Sequence, residues 1–102
     1  MAQQVLPLRF RILHLLSDNE SYSVDEVMEA LKTEYMGEGQ FTRPLMAVHL
    51  RSLKAVGILE HSEVYFNEKD ELMTKFKITE YGFSRLSYLP KGWNPIAKSF
   101  GA

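Results

Sequence analysis

The chain has 102 residues, a length that allows one buried core but not a catalytic domain with a separate binding lobe. Apolar residues make up 45% and charged residues 25% of it, as in ordinary globular proteins, and no apolar run is long enough to span a membrane. The absence of cysteine excludes disulfides, thiolate zinc sites and thiol catalysis. We therefore expect one cytoplasmic binding domain with no enzymatic activity, no cofactor and no metal site.

The net charge of −1 is unevenly distributed along the chain. Residues 1–40 carry three basic and seven acidic side chains, whereas residues 41–102 carry nine basic and six acidic ones. Because phosphates respond to local rather than total charge, a nucleic-acid surface is expected in the second part.

The first part of the chain predicts two helices. Residues 6–16 place apolar side chains over a wide arc, with Pro7 in the first turn, and so predict a helix that is buried on two sides. Ser23 and Glu26 stand three residues apart after a polar turn, in the pattern of a capping box. The amphipathic second helix that follows is expected to end near Tyr35.

A third helix is predicted over residues 42–56. Thr42 is suited to cap it, Arg43 and Pro44 follow in its first turn, and Gly57 supplies the left-handed residue that commonly ends a helix. Its predicted inward positions are Met46, Leu50 and Leu53.

Residues 58–78 predict a β-hairpin, because two strand-like runs flank the polar turn 67–71. This turn has three acidic residues and one basic residue. The hairpin is therefore expected to have an acidic tip.

The last predicted element is a helix over residues 80–89, capped by Thr79 and stopped by Pro90. The domain is expected to cover residues 1–89. The tail, residues 90–102, is expected either to pack on the domain or to lie in a dimer interface.

Two segments resemble bacterial winged helix-turn-helix regulators. In residues 50–59, LRSLKAVGIL, two leucines three apart precede a glycine and the apolar pair that begins the wing. Residues 76–82, FKITEYG, are similar to the motif that closes the second strand of the wing in these proteins. The resemblance covers roughly residues 6–89 and is to regulators of the MarR, PadR and ferric-uptake-regulator types. It implies an α+β winged helix, with a three-helix core, a hairpin wing and a C-terminal helix.

The resemblance also implies a transcriptional regulator that binds double-stranded DNA. Helix 42–56 would be the recognition helix in the major groove, and hairpin 58–78 the wing against the adjacent backbone. Arg51 would contact guanine and Val48 a thymine methyl group. The outward face of the recognition helix holds Pro44, Leu45, Val48, Arg51, Ser52 and Ala55.

Phosphate contacts are expected from hydroxyl, imidazole and basic side chains around that face. The candidates are Thr42, Arg43, His49, Ser52 and Lys54 on the helix, and Lys69 and Lys75 on the wing.

Two alternatives remain open. In the first, the domain is a protein–protein interaction module that meets a partner through exposed Leu45 and Val48 and through the acidic wing tip. In the second, it is a small-molecule sensor whose dimer cleft is lined by aromatic residues, namely Tyr81, Phe83, Tyr88 and Trp93.

A homodimer is expected, because regulators of this kind usually pair through their terminal helices to match a two-fold operator. The alternative is a tail that folds back over the core of its own domain. The apolar residues expected to be spare for dimerisation are Val5, Leu8 and Leu15 near the start, and Phe83, Tyr88, Leu89, Trp93 and Phe100 near the end.

Overall fold

The computed structural model describes residues 6–90 and 92–101. Its elements in chain order are helices α1 (Leu8–Leu16), α2 (Val24–Tyr35) and α3 (Arg43–Ala55), strands β1 (Leu59–Phe66) and β2 (Leu72–Ile78), and helix α4 (Glu80–Ser84), which is followed by a 3-10 turn (Arg85–Tyr88). This order confirms the predicted α+β winged helix. No helix in the described ranges is long and apolar enough to cross a membrane.

Side-chain caps explain where α2 and α3 begin. Ser23 Oγ accepts a hydrogen bond from the Glu26 amide at 3.2 Å, and the Glu26 carboxylate accepts one from the Ser23 amide at 2.9 Å. The predicted capping box is therefore present. Thr42 Oγ1 accepts a hydrogen bond from the Leu45 amide at 3.4 Å, as expected of the residue that opens α3.

The first and last helices differ from the prediction. Pro7 has a ψ angle of 143° and precedes α1, so it does not belong to the first helical turn. The predicted helix over 80–89 is divided into a short α-helix and a 3-10 turn. The Ser84 hydroxyl donates to the Tyr81 carbonyl oxygen at 2.6 Å where this change occurs, and such local hydrogen bonds compete with regular helical bonding.

One hydrophobic core joins the helices to the base of the hairpin. Leu8 and Leu15, expected as spare apolar residues for a dimer, are instead buried in this core, because α1 is covered on two sides. Val5 lies outside the described residues. The core residues are Leu8, Ile12, Leu13, Leu15, Leu16, Val27, Leu31, Tyr35, Met46, Leu50, Leu53, Leu59, Phe76, Ile78 and Leu86.

The wing is an antiparallel hairpin that is anchored on one edge. Strand β1 pairs with β2, with a bulge between His61 and Glu63. On the other edge of β2, Tyr22 and Phe76 exchange two backbone hydrogen bonds of 2.8 Å each. The loop between α1 and α2 therefore fixes the base of the wing.

A compact junction connects the end of α3 with both strands of the wing. The Thr79 hydroxyl donates to the Gly57 carbonyl oxygen at 2.6 Å and accepts from the Gly82 amide at 2.9 Å, while the Thr79 amide donates to the Ile58 carbonyl oxygen at 3.0 Å. Gly57 adopts the left-handed φ of 83° that was predicted for the end of α3. We call Gly57, Ile58, Thr79 and Gly82 the wing junction.

The described part of the tail lies across the C-terminal end of α1. The Ile96 amide donates to Ser17 Oγ at 2.8 Å, and His14 Nε2 lies 2.8 Å from the Asn94 carbonyl oxygen. The Trp93 ring packs edge-on against the His14 ring, with centroids 4.9 Å apart. These residues of the tail therefore pack on their own domain.

Candidate nucleic-acid interface

Helix α3 presents apolar and basic side chains on its exposed side. Its inward residues Met46, Leu50 and Leu53 are buried, as predicted. On the opposite side, the exposed fractions of Leu45 and Val48 are 42% and 43%. Arg51 and Lys54 are exposed, and neither forms a hydrogen bond or an ion pair with another described residue.

One flank of α3 faces the wing across a groove. Arg43, Ala47 and Arg51 line the groove from α3. The wing contributes His61, Leu72, Met73, Thr74 and Phe76. Arg51 thus lines a groove between the two elements to which the sequence resemblance assigns DNA contacts.

Arg43, on the same flank, is paired with a carboxylate of α2. Arg43 Nε donates to Asp25 Oδ1 at 2.8 Å, and both side chains are more than half exposed. This hydrogen bond and the charge of Asp25 raise the pKa of Arg43, and Glu71 of the wing turn acts in the same direction. The positive charge of Arg43 is therefore partly compensated within the domain.

The opposite flank of α3 faces α1, and here His49 contacts Arg9. Nε and Nη2 of Arg9 lie 3.2 Å and 3.0 Å from His49 Nδ1, and His49 Nε2 lies 3.2 Å from Gln40 Oε1. Burial, followed by the charge of Arg9, lowers the pKa of His49. The imidazole is therefore neutral at neutral pH, with Nδ1 as the acceptor and the Nε2 hydrogen donated to Gln40.

The two candidate lysines of the wing have different surroundings. Lys75 on β2 forms an ion pair of 3.4 Å with Glu26 and lies over the Tyr65 ring, 5.9 Å from its centroid. Lys69 in the turn is exposed and has no side-chain partner among the described residues, but Glu68 and Asp70 flank it in the sequence. These two candidate lysines therefore supply less free positive charge than their number suggests.

The two candidate hydroxyl groups also differ. Thr42 Oγ1 caps α3 as an acceptor, which leaves its hydrogen available to a phosphate. Ser52 is half-buried on α3, three residues after His49, and its hydroxyl makes no hydrogen bond with a described residue. Both hydroxyls can therefore still donate.

The predicted site residues lie on two elements. The structure brings Thr42, Arg43, Val48, His49, Arg51, Ser52 and Lys54 together on α3, while Lys69 and Lys75 lie on the wing. Arg9 was missed, because it stands 40 positions before its partner in the chain and belongs to no motif. Only the contact between Arg9 and His49 in the folded chain shows that Arg9 borders the candidate surface.

In the part of the chain that the structure describes, the potential metal ligands are not clustered as they are at an ion site. No group of three or more His, Cys, Asp and Glu side chains is arranged there to hold an ion. His14 and His49 instead form hydrogen bonds with protein groups.

No protein-family model and no curated protein matches the chain. Chains of solved structures do match, among them the following two. A protein from Thermoplasma acidophilum, provisionally described as a transcriptional regulator, is 23% identical; the match covers 78% of this chain and 77% of that one, with a TM-score of 0.58. PadR from Bacillus subtilis, solved in complex with operator DNA, is 18% identical; the match covers 93% of this chain and 54% of the PadR chain, with a TM-score of 0.65.

The likeness extends over most of the described elements and agrees with the three-helix core, the hairpin and the C-terminal helix. At sequence identities this low, a structural match shows only the fold, because function depends on the side chains of the site. The chain has a winged helix-turn-helix fold, which it shares with these two structures.

Proposed function

We propose that the protein is a transcriptional regulator that binds double-stranded DNA, with α3 as recognition helix and the hairpin as wing. The observation that carries the proposal is the position of Arg51, which is exposed, has no partner among the described residues and lies on the groove between α3 and the wing. The likeness to PadR, which was solved with operator DNA, supports the same function.

The proposed contacts divide into those that read bases and those that position the domain. Arg51 donates two hydrogen bonds to a guanine edge, and Val48 contacts a thymine methyl group. Thr42, Ser52 and Lys54 bind phosphate oxygens around these base contacts.

The remaining candidates are expected to contribute less. Lys69 approaches the backbone from the wing but is surrounded by acidic residues. Arg43 and Lys75 must first leave Asp25 and Glu26, respectively, before they can bind a phosphate with their full charge. His49 stays neutral and so acts only as a hydrogen-bonding group.

The test is fluorescence anisotropy of a labelled mixed-sequence DNA duplex, titrated with the protein at about 50 mM and about 200 mM salt. Binding should weaken steeply with salt, because phosphate contacts release counterions. Arg51→Glu should weaken it by roughly tenfold or more, because the substitution replaces a cation by an anion beside the phosphates. Lys98→Glu, an equal charge change in the tail, is the matched control.

A second candidate function is favoured by the apolar side chains on the same face. Leu45 and Val48 are over two-fifths exposed, and the wing tip is acidic. Both features suit a protein–protein interaction module better than a DNA contact. Absence of duplex binding at the lower salt concentration would favour this function, and Val48→Asp should then abolish capture of the partner, with little dependence on salt.

The assembly and location of the protein belong to the same proposal. A cytoplasmic homodimer would match a two-fold operator, with residues 1–89 as the DNA-binding domain. Tyr88, which is 69% exposed, remains available for such contacts at the C-terminal end of the domain. Light scattering at micromolar concentration tests the dimer, and a monomeric mass would contradict it.

A further inference from the structure

We infer that Arg9 of α1 is a phosphate-binding residue and that His49 of α3 positions it. The inference rests on the proposed DNA-binding function and extends the interface from α3 and the wing to a third element. It is based on the contact between Arg9 and His49 and on which groups pair with the arginines of the domain.

The contact places an arginine on the flank of α3 that faces away from the wing. Arg9 is exposed, and its Nε and Nη2 groups lie within 3.2 Å of His49 Nδ1. Its Nη1 group makes no hydrogen bond within residues 6–90 and 92–101. The guanidinium is therefore held against α3 while one of its edges remains open to an anion.

The partner of Arg9 differs in kind from the carboxylates that pair with two other arginines, and also from the Tyr81 and Tyr88 rings over which the Arg85 guanidinium lies. Arg11 and Arg43 are paired with the carboxylates of Glu34 and Asp25. Arg9, in contrast, is oriented by a neutral imidazole, so its charge is fixed in position without being compensated. Such an arrangement suits a phosphate, because arginine can bind its oxygens through a planar, two-pronged contact.

His49 can hold Arg9 only as long as its Nδ1 is unprotonated. The groups that face it are Arg9 from α1, Gln40 through the hydrogen bond to Nε2, and Glu38 through its charge. The hydrogen bond to Gln40 fixes the tautomer in which Nδ1 accepts. His49 thus positions Arg9 and need not touch DNA itself.

The flank that faces α1 has no other source of positive charge on α3. The exposed or half-buried α3 residues nearest His49 on the helix surface are Leu45, four positions before it, and Ser52, three positions after it, and neither carries a charge. On the opposite flank Arg51 lines the groove, and Lys54 follows it by three positions. The major groove is about 12 Å wide and is bounded by phosphates on both sides. A helix in this groove has phosphates along both flanks, and Arg9 places a cation on the flank that lacks one from α3 itself.

The experiment measures salt-dependent anisotropy of the labelled mixed-sequence duplex with the full chain and its Arg9→Gln variant. Loss of one phosphate contact makes the slope of log Kobs against log salt less negative by about 0.9. At about 50 mM salt it also lowers the affinity by about tenfold. The matched control is Lys98→Gln, because Lys98 lies beside the tail residues that pack on Ser17, at the opposite end of α1.

Two further variants separate positioning from direct contact. His49→Gln retains an acceptor for Arg9 and should keep the wild-type slope, whereas His49→Leu removes the acceptor and should move the slope towards that of Arg9→Gln. Circular dichroism confirms in each case that the helices are retained.

The outcomes distinguish this inference from the proposal on which it rests. Salt-dependent binding by the wild type, weakened by Arg51→Glu but unchanged in slope by Arg9→Gln, overturns only the role of Arg9. No binding by the wild type at the lower salt concentration overturns both. A reduced slope for Arg9→Gln, with an unchanged slope for Lys98→Gln, supports the inference.

Discussion

Replacement of Gly82 by alanine should strongly destabilise the domain by disrupting the wing junction. A Cβ atom at this position would lie 2.2 Å from the Ile58 carbonyl oxygen and 2.9 Å from Ile78 Cγ1. The carbonyl is backbone and already accepts a hydrogen bond from the Thr79 amide, so it cannot rotate away freely. The two atoms must separate by about 1 Å to reach an ordinary carbon–oxygen contact.

The expected loss in unfolding free energy is about 3 kcal/mol. Overpacking of a filled site costs about 1–3 kcal/mol, and each hydrogen bond that the shift breaks costs about 1 kcal/mol more. The better helix propensity of alanine returns at most about 1 kcal/mol. Urea unfolding followed by circular dichroism measures the loss.

Gly39→Ala is the matched control, because no atom lies within 4 Å of its hypothetical Cβ. Its effect should stay within about 0.5 kcal/mol, as for most surface substitutions. If Gly82→Ala were to cost less than about 1 kcal/mol, the close approach would not be a constraint on the fold, and the reasoning from the wing junction would be refuted.

Three further predictions concern other parts of the domain. Ser23→Ala should lower the unfolding free energy by about 1 kcal/mol, because it removes the side-chain acceptor of the capping box, and an unchanged urea midpoint would contradict this. The unfolding free energy should be highest above about pH 6.5 and should fall as the pH drops below that value. Burial lowers the pKa of His14 and of His49 in the folded chain. The unfolded chain therefore binds protons more readily than the folded one as the pH falls. Urea titrations across this range should show a flatter profile when both histidines are replaced by glutamine, and an equally steep one would exclude them as the cause. Trp93→Ala should speed hydrogen exchange at the Ile96 amide, because it removes the ring that packs the tail on α1, and unaltered exchange would show that the tail is held without it.

The fold was largely predictable because its signals are local. The capping pair Ser23 and Glu26, the cap Thr42 and the left-handed Gly57 all act within a few residues of their own positions. The spacing of Leu50 and Leu53 likewise determines which side of α3 is buried, whatever the rest of the chain does. Short-range chemistry of this kind can be read from the order of residues alone.

The site was only partly predictable because its electrostatics are not local. Helical spacing correctly placed Val48 and Arg51 on the exposed side of α3. It could not show that Arg43 meets a carboxylate of α2, or that an arginine of α1 reaches His49. These pairings depend on how the helices pack, and packing also explains why Leu8 was wrongly considered spare.

The bulge in β1 has a consequence for how molecules of this protein avoid aggregating. Tyr22 covers part of the far edge of β2, whereas β1 has no strand neighbour other than β2 among the described residues. An unpaired edge is a template for strand addition and fibril growth. Here the irregularity between His61 and Glu63 interrupts the regular spacing of donors and acceptors, and a carboxylate on each side, from Glu60 and Glu63, repels an identical incoming strand. The bulge and the two carboxylates therefore disfavour the addition of a strand along this part of β1.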